Sequence, residues 1–385
     1  MSANTIKLHG ANYLRQRLIL ATISGKNLKI TKIRESEADP GLVEYEMNLL
    51  KLLEEMTNGT TIKVNETGTI LFYSPGMLTG GVIEHECRTE RSVGYLLEVL
   101  LALGPFCAEP LMVTLKNCVT NSSSDVSVDY YRHSVIPVLR QFGLYDKDDY
   151  KFEIKVNKRG SAPLGGGEIF FSMPNPKKLR ACVSLDVGKI KRIRGTAYST
   201  RVSPQTPGRM VEAARSILNG FLPDVYIFSE AAKGAGSGKS QGYGCCLVAE
   251  STNENVRIAA EVMSGTKDDG MKNLTAEDIG KMAALELLEE INVAGVCDSV
   301  TQPLMILYSA LNQADVSKFV SGMLTPYSVE MLRNMKLFLG ITFRLELIPA
   351  KKHKKNENEG MKTGSDKVLL TCIGVGYQNL NKATL

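Results

Sequence analysis

A repeated structural unit constrains the fold of this 385-residue chain more than any other feature. The tetrapeptide Ile-Lys-Val-Asn occurs at residues 62–65 and again at 154–157, each time followed by a glycine-containing link and a second apolar run. Two segments with apolar residues at helical spacing precede each copy, and a strand-like segment lies between them. These patterns predict a unit of helix, strand, helix, strand and strand that is used more than once.

A third copy of the unit is spread over the C-terminal part of the chain. Residues 303–308 and 329–338 have the pattern of its two helices, and residues 341–348 and 368–373 have the pattern of its strand pair. The charged segment 351–360 between those strands has no periodicity, so we predict a solvated or disordered loop there.

Residues 187–285 do not follow the repeat. Their pattern is strand, helix, strand, a glycine–lysine loop, strand, and a further strand and helix. We therefore predict an α+β fold in which residues 1–186 and 286–385 form a large domain of three repeated helix/sheet units. Residues 187–285 are predicted to form a small inserted α/β domain.

The glycine–lysine loop reads GAGSGKSQG at residues 234–242 and resembles a phosphate-binding loop, G-x-x-x-x-G-K-[ST]. Lys233 occupies the position of the required first glycine, so the spacing is wrong by one residue. The segment after Ser240 is broken by glycines and then strand-like, whereas a phosphate loop opens a helix. We predict a mobile loop between two strands instead of a nucleotide site.

Composition excludes several classes of protein. The hydrophobic fraction of 43% is that of a globular chain, no apolar run is long enough to span a membrane, and the N-terminus lacks the pattern of a signal peptide. The eight cysteines are isolated or adjacent, as at Cys245-Cys246, and never form C-x-x-C. We expect a protein of the cytosol or nucleus with no membrane contact, no metal site and a mild positive charge of +5 that permits a polyanionic partner.

Two motifs carry a resemblance to a known family. Arg159 opens the stretch Arg-Gly-Ser-Ala-Pro-Leu-Gly-Gly-Gly, which resembles the R/H-G-x-x-P-x-G-G-G signature of the RNA 3′-terminal phosphate cyclase family. Arg34 with Pro-Gly-Leu at 40–42 resembles the early R-x-x-x-x-x-P-G-L stretch of that family. The resemblance covers essentially the whole chain. It implies three units, each with two helices on a four-stranded sheet, and a small domain inserted after the second unit.

The resemblance also implies a catalytic mechanism that this chain does not preserve. Cyclases of the family use ATP to adenylate a histidine that follows an L-T-x segment. They pass the AMP to an RNA 3′-phosphate, which the neighbouring 2′-OH then closes into a cyclic phosphate. Here Tyr327 follows Leu-Thr-Pro, and a phenol with an ordinary pKa near 10 is a poor replacement for imidazole. We therefore expect no cyclase activity and no cofactor.

Other family positions differ in the same direction. A glutamate expected before the first helix is missing, Glu98 stands for a glutamine, and Glu37 stands for an arginine. Arg15 and Asp298 match family residues. The sequence thus resembles the cyclase-like branch of the family, whose members are nucleolar and are required for small-subunit ribosomal RNA processing.

Membership of that branch implies a role, a location and partners. We expect a ribosome biogenesis factor of the nucleus and nucleolus, a pseudoenzyme that acts in early pre-rRNA processing. Its expected partners are a nucleolar ribosome-assembly GTPase of the Bms family, pre-ribosomal RNA and the small-subunit processome. Residues 351–355, Lys-Lys-His-Lys-Lys, are a candidate nuclear-import signal.

Three functions from different classes remain open. The first, which we favour, is an RNA-binding and protein-binding assembly factor that performs no chemistry. The second is an endonuclease that cleaves pre-rRNA upstream of the small-subunit rRNA, for which Asp298, Tyr327 and Arg15 are the only catalytic candidates. The carboxylate pairs 148–149 and 268–269 are simpler to explain as solvated turns than as metal ligands. The third, a residual cyclase, is disfavoured by the missing histidine.

Basic residues supply the candidate binding positions. Lys191, Arg192 and Arg194 lie on one predicted strand, which could present a cationic face or simply be a charged edge strand that blocks aggregation. Arg333 and Lys336 lie three apart on a predicted helix and are candidates for partner binding, the alternative being an ordinary solvated face. The candidate anion or RNA ligands are Arg15, Arg34, Arg88, Arg91, Arg159, Lys191, Arg192 and Arg194.

Overall fold

Four four-stranded sheets form the framework of the part of the chain that the structure describes. The computed structural model describes residues 5–146, 150–176, 178–265, 274–350 and 364–378. Three of the sheets share the element order strand, helix, strand, helix, strand, strand, which confirms the predicted α+β architecture of three repeated units. The residue patterns missed the first strand of each unit. In the third unit that strand is only two residues long, which is too short to show a period.

The first unit contains one four-stranded sheet and a separate two-stranded pair. Its elements are β1 (Thr5–His9), α1 (Leu14–Ser24), β2 (Asn27–Thr31), α2 (Glu44–Met56), β3 (Thr57–Asn58), β4 (Thr61–Val64), β5 (Leu71–Ser74) and β6 (Met77–Leu78). The sheet order is β1-β2-β5-β4, and β3 pairs with β6. Strands β1 and β2 are parallel, so α1 serves as the crossover that a parallel pair requires.

The second unit repeats this arrangement with an irregular second helix. Its elements are β7 (Gly81–Glu86), α3 (Gly94–Leu103), β8 (Leu111–Cys118), α4 (Val128–Tyr130), α5 (Ile136–Leu139), β9 (Glu153–Lys158) and β10 (Gly167–Met173). A π-helical turn, Tyr131–Val135, joins α4 to α5. The sheet order β7-β8-β10-β9 matches that of the first unit, and β7 and β8 are again parallel.

The third unit is interrupted after its first strand. Strand β11 (Val183–Ser184) is followed by the inserted elements β12 (Ile190–Thr200), α6 (Thr206–Leu218), β13 (Val225–Ala232), β14 (Gly242–Ser251), β15 (Arg257–Met263) and α7 (Ala276–Val293). The unit then resumes with α8 (Gln302–Leu311), β16 (Val316–Ser321), α9 (Pro326–Leu339), β17 (Arg344–Ile348) and β18 (Lys367–Ile373). The sheet orders are β13-β12-β14-β15 for the inserted sheet and β11-β16-β18-β17 for the third unit.

Two clusters of buried apolar side chains lie within the protein. The larger one joins all three units, and the smaller one lies between the inserted sheet and helices α6 and α7. Leu287 of α7 belongs to the smaller cluster, and the helix continues to Val293, beyond the predicted end of the inserted segment at residue 285. The division of the chain into two domains stays a prediction. Within the described ranges no helix is long and apolar enough to cross a membrane.

Strand β12 corrects one alternative from the sequence. It pairs with β13 on one side and β14 on the other, so it is an interior strand and does not block a sheet edge with its charges. Ile193 and Ala197 are fully buried against the helices of the insertion. The position of a strand in a sheet is set by its hydrogen bonds to other segments, here β13 and β14, so the residues of β12 alone could not decide it.

Candidate functional site

The side chains of Arg15, Glu98 and Tyr327 meet where one helix from each unit converges. Arg15 lies on α1, Glu98 on α3 and Tyr327 in the first turn of α9. The Tyr327 hydroxyl donates a hydrogen bond of 2.6 Å to Glu98 Oε1, and Arg15 Nη2 lies 3.1 Å from Glu98 Oε2. We call this group the Arg15–Glu98–Tyr327 cluster.

Local sequence places Tyr327 at this position. Thr325 caps helix α9 by accepting a hydrogen bond from the Ser328 backbone N–H, which fixes the first turn of the helix. Gln16 Nε2 donates to the Tyr327 carbonyl oxygen at 2.9 Å, and Asn334 Nδ2 donates to Gln16 Oε1 at 3.1 Å. Because Gln16 and Asn334 are buried, these bonds lock α1 against α9.

Aromatic rings surround the arginines at the cluster. The Arg15 guanidinium carbon lies 4.4 Å from the centre of the Tyr95 ring and 5.7 Å from that of Tyr327. The guanidinium of Arg91 lies 4.8 Å from the Tyr95 ring and 4.9 Å from the Tyr45 ring. Tyr95 therefore contacts both guanidinium groups. Its ring stabilises their positive charges in this largely desolvated region.

Asp125 neutralises the same two arginines. Arg91 donates to both carboxylate oxygens of Asp125 at 2.7 Å, and Arg15 Nη1 lies 3.5 Å from Asp125 Oδ1. With Glu98, two cations thus face two anions. The predicted anion ligands Arg15 and Arg91 are held by internal carboxylates, which favours a structural role for both over phosphate binding.

Electrostatics keep the phenol of the cluster protonated. Burial, and after it the charge of Glu98, raise the pKa of Tyr327 well above its ordinary value. Burial alone would lower the pKa of Arg15, but Glu98 and the other neighbours outweigh it and raise the pKa. At neutral pH the hydroxyl of Tyr327 is therefore a hydrogen-bond donor and a poor nucleophile.

Asp298 lies apart from the cluster. It is fully buried; Oδ1 accepts from the Thr301 N–H at 2.8 Å and the Thr301 hydroxyl at 2.6 Å. Its Oδ2 accepts from the Ser134 hydroxyl at 2.8 Å and the Ala259 N–H at 3.2 Å. Burial raises the pKa of Asp298, although these hydrogen bonds oppose the effect. No contact within the described ranges joins Asp298 to Arg15 or Tyr327, so the three catalytic candidates are not assembled into one site.

Arg159, the first residue of the glycine signature, is buried with 2% of its surface exposed. It donates to both oxygens of Asp129 at 2.7 and 3.0 Å, and to both oxygens of Glu230 at 2.7 and 2.8 Å. Its guanidinium also lies 4.6 Å from the centre of the Tyr198 ring. The residue links the second unit to the inserted sheet, which favours a structural role over the predicted phosphate contact.

The glycine–lysine loop docks against this signature. It joins β13 to β14 as predicted, but it is anchored where we expected a mobile loop. Gly238 N–H donates to the Arg159 carbonyl oxygen at 2.5 Å, and Lys239 N–H donates to the Gly165 carbonyl oxygen at 2.9 Å. The Ser240 hydroxyl accepts from the Leu164 N–H at 3.0 Å. The approach needs glycine, because a Cβ added to Gly238 would collide with the Gly165 carbonyl.

Two cavities border these features. One of about 1000 Å³ is lined by the signature, the glycine–lysine loop and Ser122, Ser123 and Ser124. The other, of about 640 Å³, adjoins Arg15 and Glu98 and has an acidic wall of Glu261, Glu286, Glu289 and Glu290. Burial raises the pKa of Glu261 to about 7 and that of Glu286 above its ordinary value. An acidic wall of this kind disfavours a polyphosphate ligand.

Arg34 and Arg88 differ in how firmly they are paired with carboxylates. Arg34 donates to the two oxygens of Glu46 at 2.8 and 2.6 Å and to the Gly41 carbonyl at 2.9 Å. Arg88 is exposed and lies 3.6 Å from Glu44, which is also exposed. Arg34 is therefore bound to other residues near the early motif, whereas the weak surface pair leaves Arg88 accessible to a ligand.

The basic strand β12 is largely neutralised in the same way. Arg192 Nε donates to Glu250 at 2.6 Å, and Arg194 donates to both oxygens of Asp224 at 2.8 and 3.1 Å. Lys191 is exposed and has no ion pair with any residue that the structure describes. Of the three predicted ligands on this strand, Lys191 is the most accessible.

Arg333 and Lys336 project from α9 into solvent. Arg333 forms a surface pair with Glu330 at 3.3 Å, and Lys336 has no ion pair among the residues described. Both side chains are available to a partner, and their role in partner binding stays a prediction. The carboxylate pairs 148–149 and 268–269 and the basic stretch 351–355 lie outside the described residues.

Sequence reasoning missed the partners that neutralise the arginines. It identified Arg15 and Tyr327 but not Asp125, and it read Glu98 only as a departure from the family pattern. It also missed two exposed aromatic side chains on β13, Tyr226 and Phe228, although their alternation with buried Val225 and Ile227 is visible in the sequence. Within the described ranges no group of three or more His, Cys, Asp or Glu could hold a metal ion.

Comparison with known proteins gives a consistent match. A family profile described as RNA 3′-terminal phosphate cyclase matches residues 6–345. The chain is 47% identical over 380 residues to the RNA 3′-terminal phosphate cyclase-like protein of Homo sapiens, covering 99% of this chain and 98% of the relative. It is 46% identical to a probable protein of the same name from Drosophila melanogaster, with coverage of 99% and 98%. It is 39% identical over 387 residues to the rRNA processing protein rcl1 of Schizosaccharomyces pombe, with 99% of both chains covered.

Proposed function

The chain belongs to the RNA 3′-terminal phosphate cyclase family, and from this premise we propose that it is a ribosome biogenesis factor without cyclase activity. It binds pre-ribosomal RNA and proteins during early processing of the small-subunit rRNA. The name of the Schizosaccharomyces pombe relative, an rRNA processing protein, supports the processing role.

One observation carries the loss of cyclase activity. The position expected for the adenylated histidine holds Tyr327, whose hydroxyl is bonded to Glu98 at 2.6 Å. Adenylation needs a nucleophile with a free lone pair aimed at the α-phosphate and cations that receive the negative charge. Here the phenol is protonated, Arg15 is paired with Glu98, and Glu98 would repel the phosphates.

Location and partners follow from the processing role. We infer that the protein works in the nucleus and nucleolus, within the small-subunit processome, beside a ribosome-assembly GTPase of the Bms family. The exposed cations Arg333 and Lys336 on α9 are the proposed contact with that partner. Replacing both by alanine is expected to weaken GTPase binding in a pull-down while leaving the thermal unfolding temperature unchanged.

An adenylation assay tests the absence of cyclase chemistry. The purified chain is incubated with radiolabelled ATP and with a 3′-phosphorylated RNA, beside Tyr327→His and the double variant Tyr327→His/Glu98→Gln. We expect no covalent AMP and no cyclic phosphate from the wild-type chain. Label on the wild-type protein, or a cyclic product, would overturn the proposal. The variants show whether the histidine alone restores the chemistry.

A depletion experiment tests the processing role. The chain is depleted in its own cells, and pre-rRNA intermediates are measured by northern hybridisation with and without a wild-type or Tyr327→Phe copy. We expect unprocessed small-subunit precursors to accumulate on depletion and both copies to rescue. Unchanged pre-rRNA after depletion would contradict the proposal.

The endonuclease alternative lacks an assembled acid–base pair among the described residues. Its candidates Asp298 and Tyr327 do not contact each other, and both are buried in hydrogen bonds. A cleavage assay on a labelled precursor RNA, with and without EDTA, decides the matter. Specific cutting that Tyr327→Phe or Asp298→Ala abolishes in folded protein would establish the endonuclease.

A further inference from the structure

Part of one face of the inserted sheet is open to solvent. Helices α6 and α7 cover the opposite face. On the face away from α6 and α7, strands β14 and β15 pack against the second unit. Their residues Cys246, Val248 and Ala259 join the main core, and the Tyr130 hydroxyl donates to the Ala259 carbonyl at 3.0 Å. On β12 and the edge strand β13, Arg159 of the second unit contacts Tyr198 and Glu230, so the open part of the face lies around Arg194, Tyr226 and Phe228.

Two aromatic rings stand on the open part of the face. Tyr226 is 64% exposed and Phe228 is 54% exposed, two residues apart on β13. Residues at this spacing lie on one face, separated by about 6.6 Å along the strand. In the parallel pairing with β12, Tyr226 lies opposite Arg194 and Phe228 lies opposite Thr196, so these four side chains share the face. Large exposed rings next to one another mark a binding surface more often than an ordinary one.

A groove beside the rings carries charges of both signs. It has a volume of about 250 Å³, adjoins Phe228, and is lined by the charged residues Arg132, Arg159, Arg194, Arg257, Asp129, Glu230 and Glu250. The three carboxylates are paired with Arg159, Arg192 and Arg257, which leaves Arg132 and Arg194 as the cations that can face a ligand. Arg132 is exposed and has no carboxylate partner in the part of the chain that the structure describes. The partner of Arg194, Asp224, is itself 55% exposed, so solvent screens that pair and a phosphate can replace the carboxylate.

We propose that this surface, the Tyr226–Phe228 face, binds single-stranded RNA. Two successive bases stack on the rings of Tyr226 and Phe228, and the connecting phosphates contact Arg132 and Arg194. The proposal deepens the proposed function, on which it rests, by naming the surface that holds the pre-rRNA. Aromatic rings on an open sheet face, bordered by cations, are a recurrent platform for unpaired bases.

The geometry favours single-stranded RNA over an acidic peptide or a duplex. A peptide that recognises an edge strand pairs with its backbone and gains little from rings that project from the face of the sheet. A duplex hides the faces of its bases inside the stack, so it offers the rings nothing to stack on. An unpaired strand presents both bases and phosphates to this surface.

Binding to a labelled RNA tests the proposal. The probe is a fluorescein-labelled, unstructured RNA of about 12 nucleotides, within the range of known single-strand site sizes, and anisotropy is recorded with the full chain at low salt. The double variant Tyr226→Ala/Phe228→Ala is expected to lose at least about tenfold in affinity. Tyr226→Phe keeps the ring and should bind within about twofold of the wild-type chain, since stacking needs no hydroxyl.

Phe221→Ala provides the matched control, because Phe221 is an exposed phenylalanine of the same inserted segment that lies off this face, with 47% of its surface exposed. It should bind like the wild-type chain. Photocrosslinking of the wild-type complex, followed by mass spectrometry, should place RNA adducts on the peptide that contains Tyr226 and Phe228.

Several outcomes would overturn the proposal. The first is that the double variant binds RNA as tightly as the Phe221→Ala control. The second is that the wild-type chain does not bind the RNA. The third is that a duplex of the same sequence binds as tightly as the single strand and that the double variant abolishes this duplex binding. If the double variant lost binding to polyglutamate but kept the wild-type affinity for RNA, the face would be assigned to an acidic partner instead. The depletion experiment above reports on the processing role separately: normal pre-rRNA after depletion, with ring-dependent RNA binding, would remove the proposed function and leave this site.

Discussion

Tyr327 Oη and Glu98 Oε1 lie 2.6 Å apart, and the hydrogen bond between them joins α9 of the third unit to α3 of the second. Arg15 of the first unit is paired with the same carboxylate. Tyr327, at the position where the family resemblance implies a nucleophile, is therefore part of the packing between units. The contribution of the Tyr327–Glu98 hydrogen bond to the fold can be measured as a change in the free energy of unfolding.

Removing the hydroxyl should destabilise the protein. We expect Tyr327→Phe to lower the free energy of unfolding by about 1–3 kcal/mol, because a buried hydrogen bond to a charged acceptor is lost. Chemical denaturation measures the change. Tyr226→Phe removes a hydroxyl from a side chain that is 64% exposed and serves as the control, with no measurable loss expected. Equal stability of the two variants would mean that the bond to Glu98 contributes nothing.

The docked glycine–lysine loop gives a second prediction. Gly238→Ala should destabilise the protein by about 2 kcal/mol or more, because the new methyl group meets the Gly165 and Arg159 backbones. Gly236 lies in the same loop and has no atom within 4 Å of an added Cβ, so Gly236→Ala should be neutral or slightly stabilising. Thermal unfolding of both variants makes the comparison. An unchanged unfolding temperature of Gly238→Ala would show that the loop does not dock against the glycine signature.

Arg159 should be one of the most sensitive positions in the chain. Burial would raise the pKa of Asp129, but Arg159 outweighs it and keeps the pKa below its ordinary value. Arg159→Gln leaves this buried carboxylate unpaired, so we expect a loss of about 3–5 kcal/mol. Arg333→Gln breaks an exposed pair and should change stability by less than about 0.5 kcal/mol. A small effect of Arg159→Gln in urea unfolding would contradict the structural role.

Glu261 predicts a pH dependence of stability. Burial raises its pKa from 4.5 in the unfolded chain to about 7 in the fold, although Ser127 hydrogen bonds oppose the shift. The fold therefore holds a proton that the unfolded chain releases, and the stability contributed by this group is present at low pH and declines as pH rises from about 4.5 to 7. Glu261→Gln should remove this decline.

The gain of Glu261→Gln over the wild-type chain should grow by about 1–2 kcal/mol between pH 5 and pH 8, less than the full pKa shift implies because the cavity leaves part of the side chain exposed. Glu277 serves as the control, since Arg209 lowers its pKa and its contribution is constant over the same interval. Parallel pH profiles for Glu261→Gln and the wild-type chain would show that residue 261 titrates normally.

Much of the architecture followed from local patterns. The repeated Ile-Lys-Val-Asn segments correspond to β4 and β9, and the helical periodicities correspond to α1, α2, α3, α8 and α9. The inserted strands and helices were also predicted in their order. These predictions succeeded because an amphipathic period of two or 3.6 residues is written in neighbouring residues.

The candidate site followed from sequence only in part. Tyr327, where the resemblance implies a histidine, was visible at once, and so was the motif that begins at Arg159. The consequence of each was not visible, because the side chains that satisfy them lie far away in the chain: Glu98 is 229 residues from Tyr327, and Glu230 is 71 residues from Arg159.

The sequence by itself determined the repeated units and the order of the strands and helices between β11 and α8. Tertiary structure decided which charges are free. Basic residues that the sequence offered equally as phosphate ligands were separated into buried structural pairs such as Arg159 and accessible cations such as Arg88 and Lys191. The physical reason is that a charge is neutralised by whatever the fold brings within a few ångströms of it, and contacts between distant segments leave no local period in the sequence.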